Sequence, residues 1–281
     1  MTNISVVIVS YNTVHLLADC LESVLTSEGV SLEVFVVENA SRDESAALVR
    51  ERFPCVRLIV NAGNRGFAAA NNQALRECAG RYIVLLNPDT TVEPESLRTL
   101  VAFMEAHPEV GLAGPRVLNP DGTRQDSVSF RYPGERYGAV DIGDLPGKIA
   151  CVMGACQIIA ADLLRSLGGF DEDFFLYGED QDLCLRIRQH GKEIGVVNDA
   201  AIRHHGGQSE RETLPEEVVR KKVRAEYLFY RKHYRPETIE RIRRRQRTRA
   251  RWQLFLKRLL PASDRRKLAG YRVVLEETAR V

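Results

Sequence analysis

The sequence predicts an α/β fold: a mostly parallel central sheet flanked by helices, with a helical, basic extension beyond residue 210. Three observations predict it. Apolar runs of strand length recur through residues 1–90, and segments with helical periodicity or helix-starting chemistry lie between them, which is the alternation of a parallel sheet. The chain of 281 residues is 44% hydrophobic and 28% charged, which suits one large or two small folded domains and excludes a disordered polypeptide. The charge is also uneven along the chain. Residues 211–281 carry 22 Lys and Arg against 9 Asp and Glu, a net +13, whereas residues 1–210 carry 18 against 29, a net −11.

The elements follow in order. Residues 4–9 (Ile-Ser-Val-Val-Ile-Val) read as a buried strand. Past Tyr11-Asn12, the residues Leu16, Leu17, Cys20, Leu21, Val24 and Leu25 recur at helical spacing, with Gly29 as the expected C-terminal cap. Residues 32–37 form the next apolar run. Ser41-Arg-Asp-Glu44 has capping-box spacing and is expected to start a helix ending before Pro54. Strands follow at 56–60 and 82–86, separated by an Ala-rich helix after Asn64-Arg65-Gly66-Phe67. Farther on, Asn119-Pro-Asp-Gly122 is a turn between short strands, residues 130–147 read as a loop, and 151–160 read as one buried strand followed by a short helix. A helix carrying Leu183, Cys184 and Ile187 on one face closes at Gly191. Residues 194–197 and 201–204 read as strands, and from about Pro215 the chain is helical and basic.

No run of about 20 uncharged apolar residues occurs, so no transmembrane helix is expected. The start lacks the basic region of a signal peptide. Six cysteines sit in apolar segments without a C-x-x-C pair, which points to buried reduced thiols in a cytoplasmic protein rather than to disulfides or zinc.

In a parallel α/β sheet, ligands bind past the carboxyl ends of the strands. The positions to weigh are therefore Ser10-Tyr11-Asn12, Glu38-Asn39, residues 61–66 and Asn87-Pro88-Asp89. Asn87-Pro88-Asp89 is either a plain strand-end turn or a site where Asp89 holds Mg²⁺ or Mn²⁺ with a diphosphate completing the shell. Glu179-Asp180 begins a helix, where carboxylates complement the macrodipole. The same acids, crowded with Asp173 and Asp182 beside Phe174, Phe175 and Tyr177, also suit a sugar pocket. His204 is either a surface histidine or a metal ligand, with His205 the less favoured of the two. Asn64-Arg65-Gly66 could offer an arginine and backbone amides to a phosphate at a helix N-terminus. Asp43, Asp121 and Asp171 read as turn or cap residues.

The order of the blocks carries more information than any one of them. Val-Ile-Val-Ser-Tyr-Asn12, Val-Val-Glu-Asn-Ala-Ser41, Asn-Arg-Gly-Phe-Ala-Ala-Ala-Asn-Asn72, Leu-Leu-Asn-Pro-Asp-Thr90, Gly-Gly-Phe-Asp171, Phe-Phe-Leu-Tyr-Gly-Glu-Asp-Gln-Asp-Leu183 and His-His-Gly-Gly-Gln-Ser209 succeed one another over residues 3–210. This series resembles glycosyltransferase family 2, in its bacterial rhamnosyltransferase-like branch. The resemblance implies a GT-A fold with a Rossmann-like sheet over residues 1–210. It also implies a nucleotide-sugar donor (a dTDP- or UDP-sugar), a divalent metal (Mn²⁺ or Mg²⁺) and inversion at the anomeric carbon. By the same resemblance, Asp89 is a metal ligand, and Asn87, standing where a first aspartate is usual, is a donor-binding residue that contacts ribose or a metal-bound water. Glu38 lies at a nucleobase-contacting position, Asp180 is the catalytic base with Glu179 beside it, and His204 contacts metal or diphosphate. Ser10, Tyr11, Asn12, Asn64, Arg65 and Gly66 complete the expected donor site. The acceptor implied is a glycan or lipid-linked hydroxyl in cell-surface polysaccharide synthesis.

The basic stretch from Arg241 to Trp252 precedes Leu254, Phe255, Leu256, Leu259 and Leu260. It reads either as a helix on an anionic membrane surface, at the inner face of the plasma membrane, or as one that packs its apolar face on the acidic body. Three other readings compete. A nucleotide-binding oxidoreductase needs a G-x-G-x-x-G turn after the first strand, and Ser10-Tyr11-Asn12 is not one. A nucleic-acid binder leaves the strand-end acids unexplained, so no nucleic-acid partner is expected. A processive polysaccharide synthase is disfavoured by the lack of membrane spans.

Overall fold

The computed structural model describes residues 4–211, 213–257 and 265–280. Its chain forms two compact units: Met1–Phe130 with Leu145–Phe175 and Glu179–Ser209, and Arg131–Asp144 with Leu176–Gly178 and Glu210–Val281.

The first unit runs β1 (Ile4–Ser10), α1 (Val14–Leu25), β2 (Leu32–Glu38), α2 (Ser45–Arg52), β3 (Arg57–Val60), α3 (Phe67–Leu75), β4 (Tyr82–Leu86), β5 (Thr90–Val92), α4 (Ser96–Ala106), β6 (Val110–Leu118), β7 (Val128–Ser129), β8 (Cys151–Val152), β9 (Cys156–Ala160), α5 (Ala161–Ser166), α6 (Glu179–Gln189) and β10 (Glu193–His204). Eight strands form one sheet in the order β3-β2-β1-β4-β9-β6-β10-β5, and β7 pairs with β8 apart from it. The pairs β3–β2, β2–β1, β1–β4 and β6–β10 are parallel, while β9 runs antiparallel to both its neighbours. Every residue of β1 is buried, as a central strand covered on both faces requires. Val6 and Ile8 point into one apolar core with Leu17, Leu21 and Leu100, and Val7 and Val9 point into the other with Ala70, Leu164 and Leu183. The register aligns Ser10 with Glu38, and Glu38 with Val60, so several strand ends form one edge.

Several local expectations are corrected. Helix α1 closes at Thr26, whose hydroxyl donates to the Glu22 carbonyl, and Gly29 lies beyond it. The capping box at Ser41 does not form. Helix α2 starts at Ser45, whose amide and hydroxyl both donate to Asp43, because Ser41 is engaged elsewhere. The strand expected over 151–160 is two strands, broken at residues 153–155. The two strands expected at 194–197 and 201–204 are one, β10, irregular between Val197 and Ala201. Cys55 is exposed, and the other five cysteines are buried free thiols.

The second unit contains α7 (Pro215–His233), α8 (Pro236–Lys257) and α9 (Arg265–Arg280). It exceeds the extension expected over 211–281, since it also takes in residues 131–144 and 176–178. Aromatic packing accounts for the first of these: Tyr132 stacks on Phe229, and the Tyr234 hydroxyl donates to the Pro133 carbonyl. Much of the basic charge is consumed within this unit. Arg220 pairs with Glu217, Glu276 and Glu277, and Arg224 pairs with Glu277. Among the described residues, no helix is long and apolar enough to cross a membrane.

Candidate active site

The residues expected to carry chemistry collect along the carboxyl edge of the sheet, and the local reasons differ from loop to loop. After β1, Asn12 takes a left-handed backbone (φ 54°). Its amide donates to the Ser41 hydroxyl, and its side-chain carbonyl accepts from the Arg42 amide. Ala40 is left-handed as well, at φ 64°. Non-glycine residues rarely hold this conformation, so the first two loops are locked together at some conformational cost. Glu38 is buried, and one of its carboxylate oxygens accepts from the Ser41 amide at 2.6 Å. The Ser10 hydroxyl is shared with Thr13, and Tyr11 is half-buried.

Asn39, weighed above only as a strand-end position, is the organiser of the loop after β3. Buried at the end of β2, it donates to Asn64 and to the Gly66 carbonyl, and it accepts from Asn61 and from the Arg65 amide. The Gly66 amide donates to Asn64, and the Phe67 amide, first of α3, donates to the Phe175 carbonyl at 2.7 Å. Three consecutive amides are thus already bonded. The amide cradle for phosphate expected at Asn64-Arg65-Gly66 is not available, and the exposed Arg65 side chain is what the loop offers an anion. Gly66 is required here: its φ is +83°, and a Cβ would lie 2.6 Å from the Phe175 carbonyl oxygen. This contact also ties the loop to the segment that leads to Glu179 and Asp180.

The strand-end acid and the helix-start acid meet through two consecutive residues. The Asn87 amide donates to the Ala155 carbonyl at 2.9 Å, and the Gly154 amide donates to Asp180 Oδ2 at 3.3 Å. Adjacent Cα atoms are about 3.8 Å apart, so the Asn87-Pro88-Asp89 turn and Asp180 are brought near one another through residues 154–155. The break in the strand at 153–155 frees these backbone groups. Asp180 also accepts from the Gln181 amide at 2.8 Å. Burial pushes the Asp180 carboxyl up, and the amides of Gln181 and Gly154 hold it back. Glu179 has one carboxylate oxygen buried with no hydrogen-bond partner among the described residues. Burial, and after it the charge of Asp180, push the Glu179 carboxyl up to about 8. The neighbouring acids therefore differ: burial raises both carboxyls, Glu179 up to about 8, and only Asp180 has amide donors that oppose the rise.

Asp89 and His204 are both buried, and His204 stands opposite Thr90 where β10 pairs with β5. His204 Nε2 lies 3.5 Å from Asp89 Oδ1 and 3.5 Å from Asn87 Nδ2, and its Nδ1 is 2.8 Å from Gln125 Oε1. The His205 amide donates to the Asp89 carbonyl, and His205 itself is exposed, unlike the buried His204. Among the described residues, no group of three or more His, Cys, Asp or Glu side chains gathers as a metal site. The pair Asp89–His204, with Asn87 beside it, presents hard oxygen and imidazole donors, the set suited to Mn²⁺ or Mg²⁺ when a ligand oxygen and water supply the rest. A separate cavity of about 380 Å³, lined by Arg76, Arg165 and Glu172, lies away from this edge beside Ile83 near the start of β4.

Comparisons with known proteins identify the family and the fold. Residues 5–168 match the family described as Glycosyl transferase family 2. The chain is 27% identical over 236 residues to N-acetylglucosaminyl-diphospho-decaprenol L-rhamnosyltransferase of Mycobacterium tuberculosis, covering 73% of this chain and 76% of that one. It is 30% identical over 200 residues to the O-antigen biosynthesis protein RfbC of Myxococcus xanthus, covering 65% of this chain and 16% of that protein. Among solved structures, a mannosyltransferase from Pyrobaculum calidifontis, in complex with GDP-Man and Mn²⁺, superposes with a TM-score of 0.59 at 21% identity, covering 100% of this chain and 76% of that one.

Proposed function

The chain belongs to glycosyl transferase family 2, and from that premise we propose that it is an inverting, metal-dependent transferase. It would move a sugar from a nucleotide-sugar donor to a hydroxyl of a glycan or lipid-linked acceptor in polysaccharide synthesis. The observation that carries this reading is the double attachment of residues 154–155, which sets Asp180 against the turn bearing Asp89.

Asp180, as carboxylate, takes the proton of the acceptor hydroxyl while that oxygen attacks the sugar C1 and the C1–oxygen bond to the diphosphate breaks on the opposite face. A positioned general base contributes about 10²–10⁴-fold. Glu179, protonated, adds no second negative charge beside the base. Asp89 and His204 are the residues that would hold the divalent cation, with Asn87 within reach. When bound, the cation offsets the charge that develops on the departing diphosphate. Arg65 supplies a further positive charge from the loop after β3. Ser10, Tyr11, Asn12, Glu38 and Asn64 shape the donor end of the site. Because Glu38 has one oxygen committed to Ser41, the other is the one available to a nucleobase.

Rhamnose from a dTDP-sugar is the first donor to test, supported by likeness to the mycobacterial rhamnosyltransferase, with UDP-sugars next. That relative's decaprenol-linked acceptor favours a lipid-linked acceptor here, approached at an anionic membrane surface. Helix α8 suits such a surface. Trp252 and Phe255 stack with centroids 6.0 Å apart and, with Leu256, are exposed beside the exposed Arg249 and Arg251. Leu259 and Leu260, part of the same expected stretch, lie outside the described residues.

The test is transfer and donor hydrolysis with Mn²⁺ and a panel of dTDP-, UDP- and GDP-sugars. Asp180→Asn abolishes transfer and leaves donor affinity nearly unchanged, and Asp89→Ala removes the metal-dependent part of donor binding. Full transfer by Asp180→Asn would overturn the assignment of the base.

A further inference from the structure

His204 ends β10, and its Nδ1 meets a side chain that comes from a different part of the chain. The turn at Asn119-Pro-Asp-Gly122 folds the chain back after β6. The Asn119 amide donates to the Thr123 carbonyl, the Gly122 amide donates to the Asn119 carbonyl, and the Gln125 amide donates to the Val117 carbonyl. This hairpin carries Gln125 to His204. It also carries a line of side-chain hydrogen bonds. Gln125 Oε1 lies 2.8 Å from His204 Nδ1, and Gln125 Nε2 donates to Asn119 Oδ1 at 3.1 Å. Asn119 Nδ2 donates to the Thr123 hydroxyl at 2.9 Å, and that hydroxyl donates to Asp121 Oδ1 at 2.6 Å.

The polarity of this line is not arbitrary. An ionised carboxylate only accepts, so the single hydroxyl proton of Thr123 points to Asp121. The Thr123 oxygen must then accept from the Asn119 amide nitrogen, which turns the Asn119 carbonyl toward Gln125. Gln125 must present its nitrogen to that carbonyl, which turns its own carbonyl toward His204. A carbonyl oxygen at 2.8 Å needs a donor, so Nδ1 carries the proton. The Thr123 hydroxyl and amide also hold the Asp121 carboxyl below its ordinary range, which keeps the end of the line an acceptor.

We propose that the relay Asp121–Thr123–Asn119–Gln125 fixes His204 as the Nδ1–H tautomer, so that the Nε2 lone pair is turned toward Asp89 as a preformed site for a divalent cation. The consequence is local and electrostatic. Two electron-rich atoms, His204 Nε2 and Asp89 Oδ1, face each other 3.5 Å apart in a buried place, with the Asn87 side-chain amide 3.5 Å from Nε2. Such an arrangement is stabilised by a cation. The opposite tautomer would close the gap with an internal Nε2–H···Oδ1 bond and occupy both atoms. Gln125 and Asp121 are therefore positioning residues. Gly206, left-handed at φ +71°, completes the enclosure: a Cβ there would stand 3.7 Å from His204 Cε1 and 3.9 Å from Gln125 Nε2.

The inference rests on the metal reading above only for its consequence, and the experiment separates the two. Long-range ¹H–¹⁵N spectra of full-length, metal-free protein labelled with [¹⁵N]histidine report which ring nitrogen carries the proton. The His204 signals are identified by their loss in His204→Gln. Wild type shows Nδ1–H. Gln125→Leu shifts His204 to Nε2–H and weakens Mn²⁺ binding, followed by electron paramagnetic resonance, about 10–100-fold. Gln125→Glu, which keeps an acceptor at that position, retains the wild-type tautomer. Asp121→Ala, at the exposed turn, gives a mixture of both tautomers even if Gln125→Leu does not fold. A wild type with Nε2–H, or an unchanged tautomer in Gln125→Leu, overturns the proposal. Retention of pure Nδ1–H in Asp121→Ala overturns the part assigned to Asp121. Wild-type Nδ1–H without Mn²⁺ binding refutes the metal reading and leaves the relay standing.

Discussion

Replacing Glu179 by glutamine isolates one buried titration. In the unfolded chain this carboxyl ionises at its ordinary 4.5, whereas in the folded protein burial holds the proton up to about 8. Between those values the folded state binds more protons than the unfolded state, so its stability falls as pH rises and the full loss is reached above pH 8. The two limits correspond to roughly 4–5 kcal/mol, and the step from pH 6 to pH 8 alone to roughly 2–3 kcal/mol. Glutamine keeps the shape and has no proton to lose. Urea unfolding of wild type and Glu179→Gln, followed by far-UV circular dichroism at pH 6, 7 and 8, therefore gives two curves that diverge. The variant gains on wild type by roughly 2–3 kcal/mol across the interval, whatever its absolute stability at pH 6. Parallel curves would refute the claim that Glu179 is protonated in the folded protein.

Gly66→Ala places a methyl 2.6 Å from the Phe175 carbonyl oxygen on a left-handed backbone. It should cost at least about 1–3 kcal/mol, read as a lower midpoint in thermal unfolding, and it should weaken donor binding in the same preparation. Asn39→Ala removes four hydrogen bonds around residues 61–66. Amide exchange of Arg65 and Gly66 should accelerate, since buried partners are left unpaired. Chelation with EDTA should abolish the thermal stabilisation produced by the preferred nucleotide sugar, and added Mn²⁺ should restore it. Trp252→Ser combined with Phe255→Ser should reduce co-sedimentation with vesicles containing phosphatidylglycerol while leaving soluble activity intact. Equal sedimentation of the variant and wild type would exclude α8 as the membrane contact.

The half of the fold that periodicity describes well was legible from residues alone. Strands β1 and β4 and helix α1 are uninterrupted apolar runs or clear helical stripes, and the parallel register then follows from their alternation. Helix α4 carried an equally clear stripe, Leu97, Leu100, Val101 and Met104, and was missed, while β6, expected only as a short strand before the turn at 119–122, runs nine residues with its apolar pattern diluted by Gly111, Gly114 and Pro115. The break at 153–155 leaves no mark, because Met-Gly-Ala continues an apolar run. What interrupts the strand is the engagement of Gly154 and Ala155 with distant partners. The candidate acids do stand where expected, Asp89 past the end of β4 and Glu179 at the start of α6. Asn39 was visible only as a strand-end position and Gln125 not at all, since an amide side chain gains its importance from what surrounds it. The inclusion of residues 131–144 in the second unit depends on Tyr132 meeting Phe229, a pairing across nearly a hundred positions that no window of sequence reveals.

The bonds at Gly154 and Ala155 have a consequence for how such an enzyme can change. The Asn87–Ala155 bond is made wholly by main-chain atoms, and Gly154 contributes its main-chain amide to the Asp180 carboxylate. The span between the turn bearing Asp89 and the carboxylate of Asp180 is thereby inherited from peptide geometry, and side-chain replacement elsewhere on the rim leaves it alone. Selection for a new sugar or a new acceptor can rewrite the surrounding loops while the reactive gap keeps its dimension. Library design aimed at altered specificity should randomise those loops and hold residues 153–155 constant.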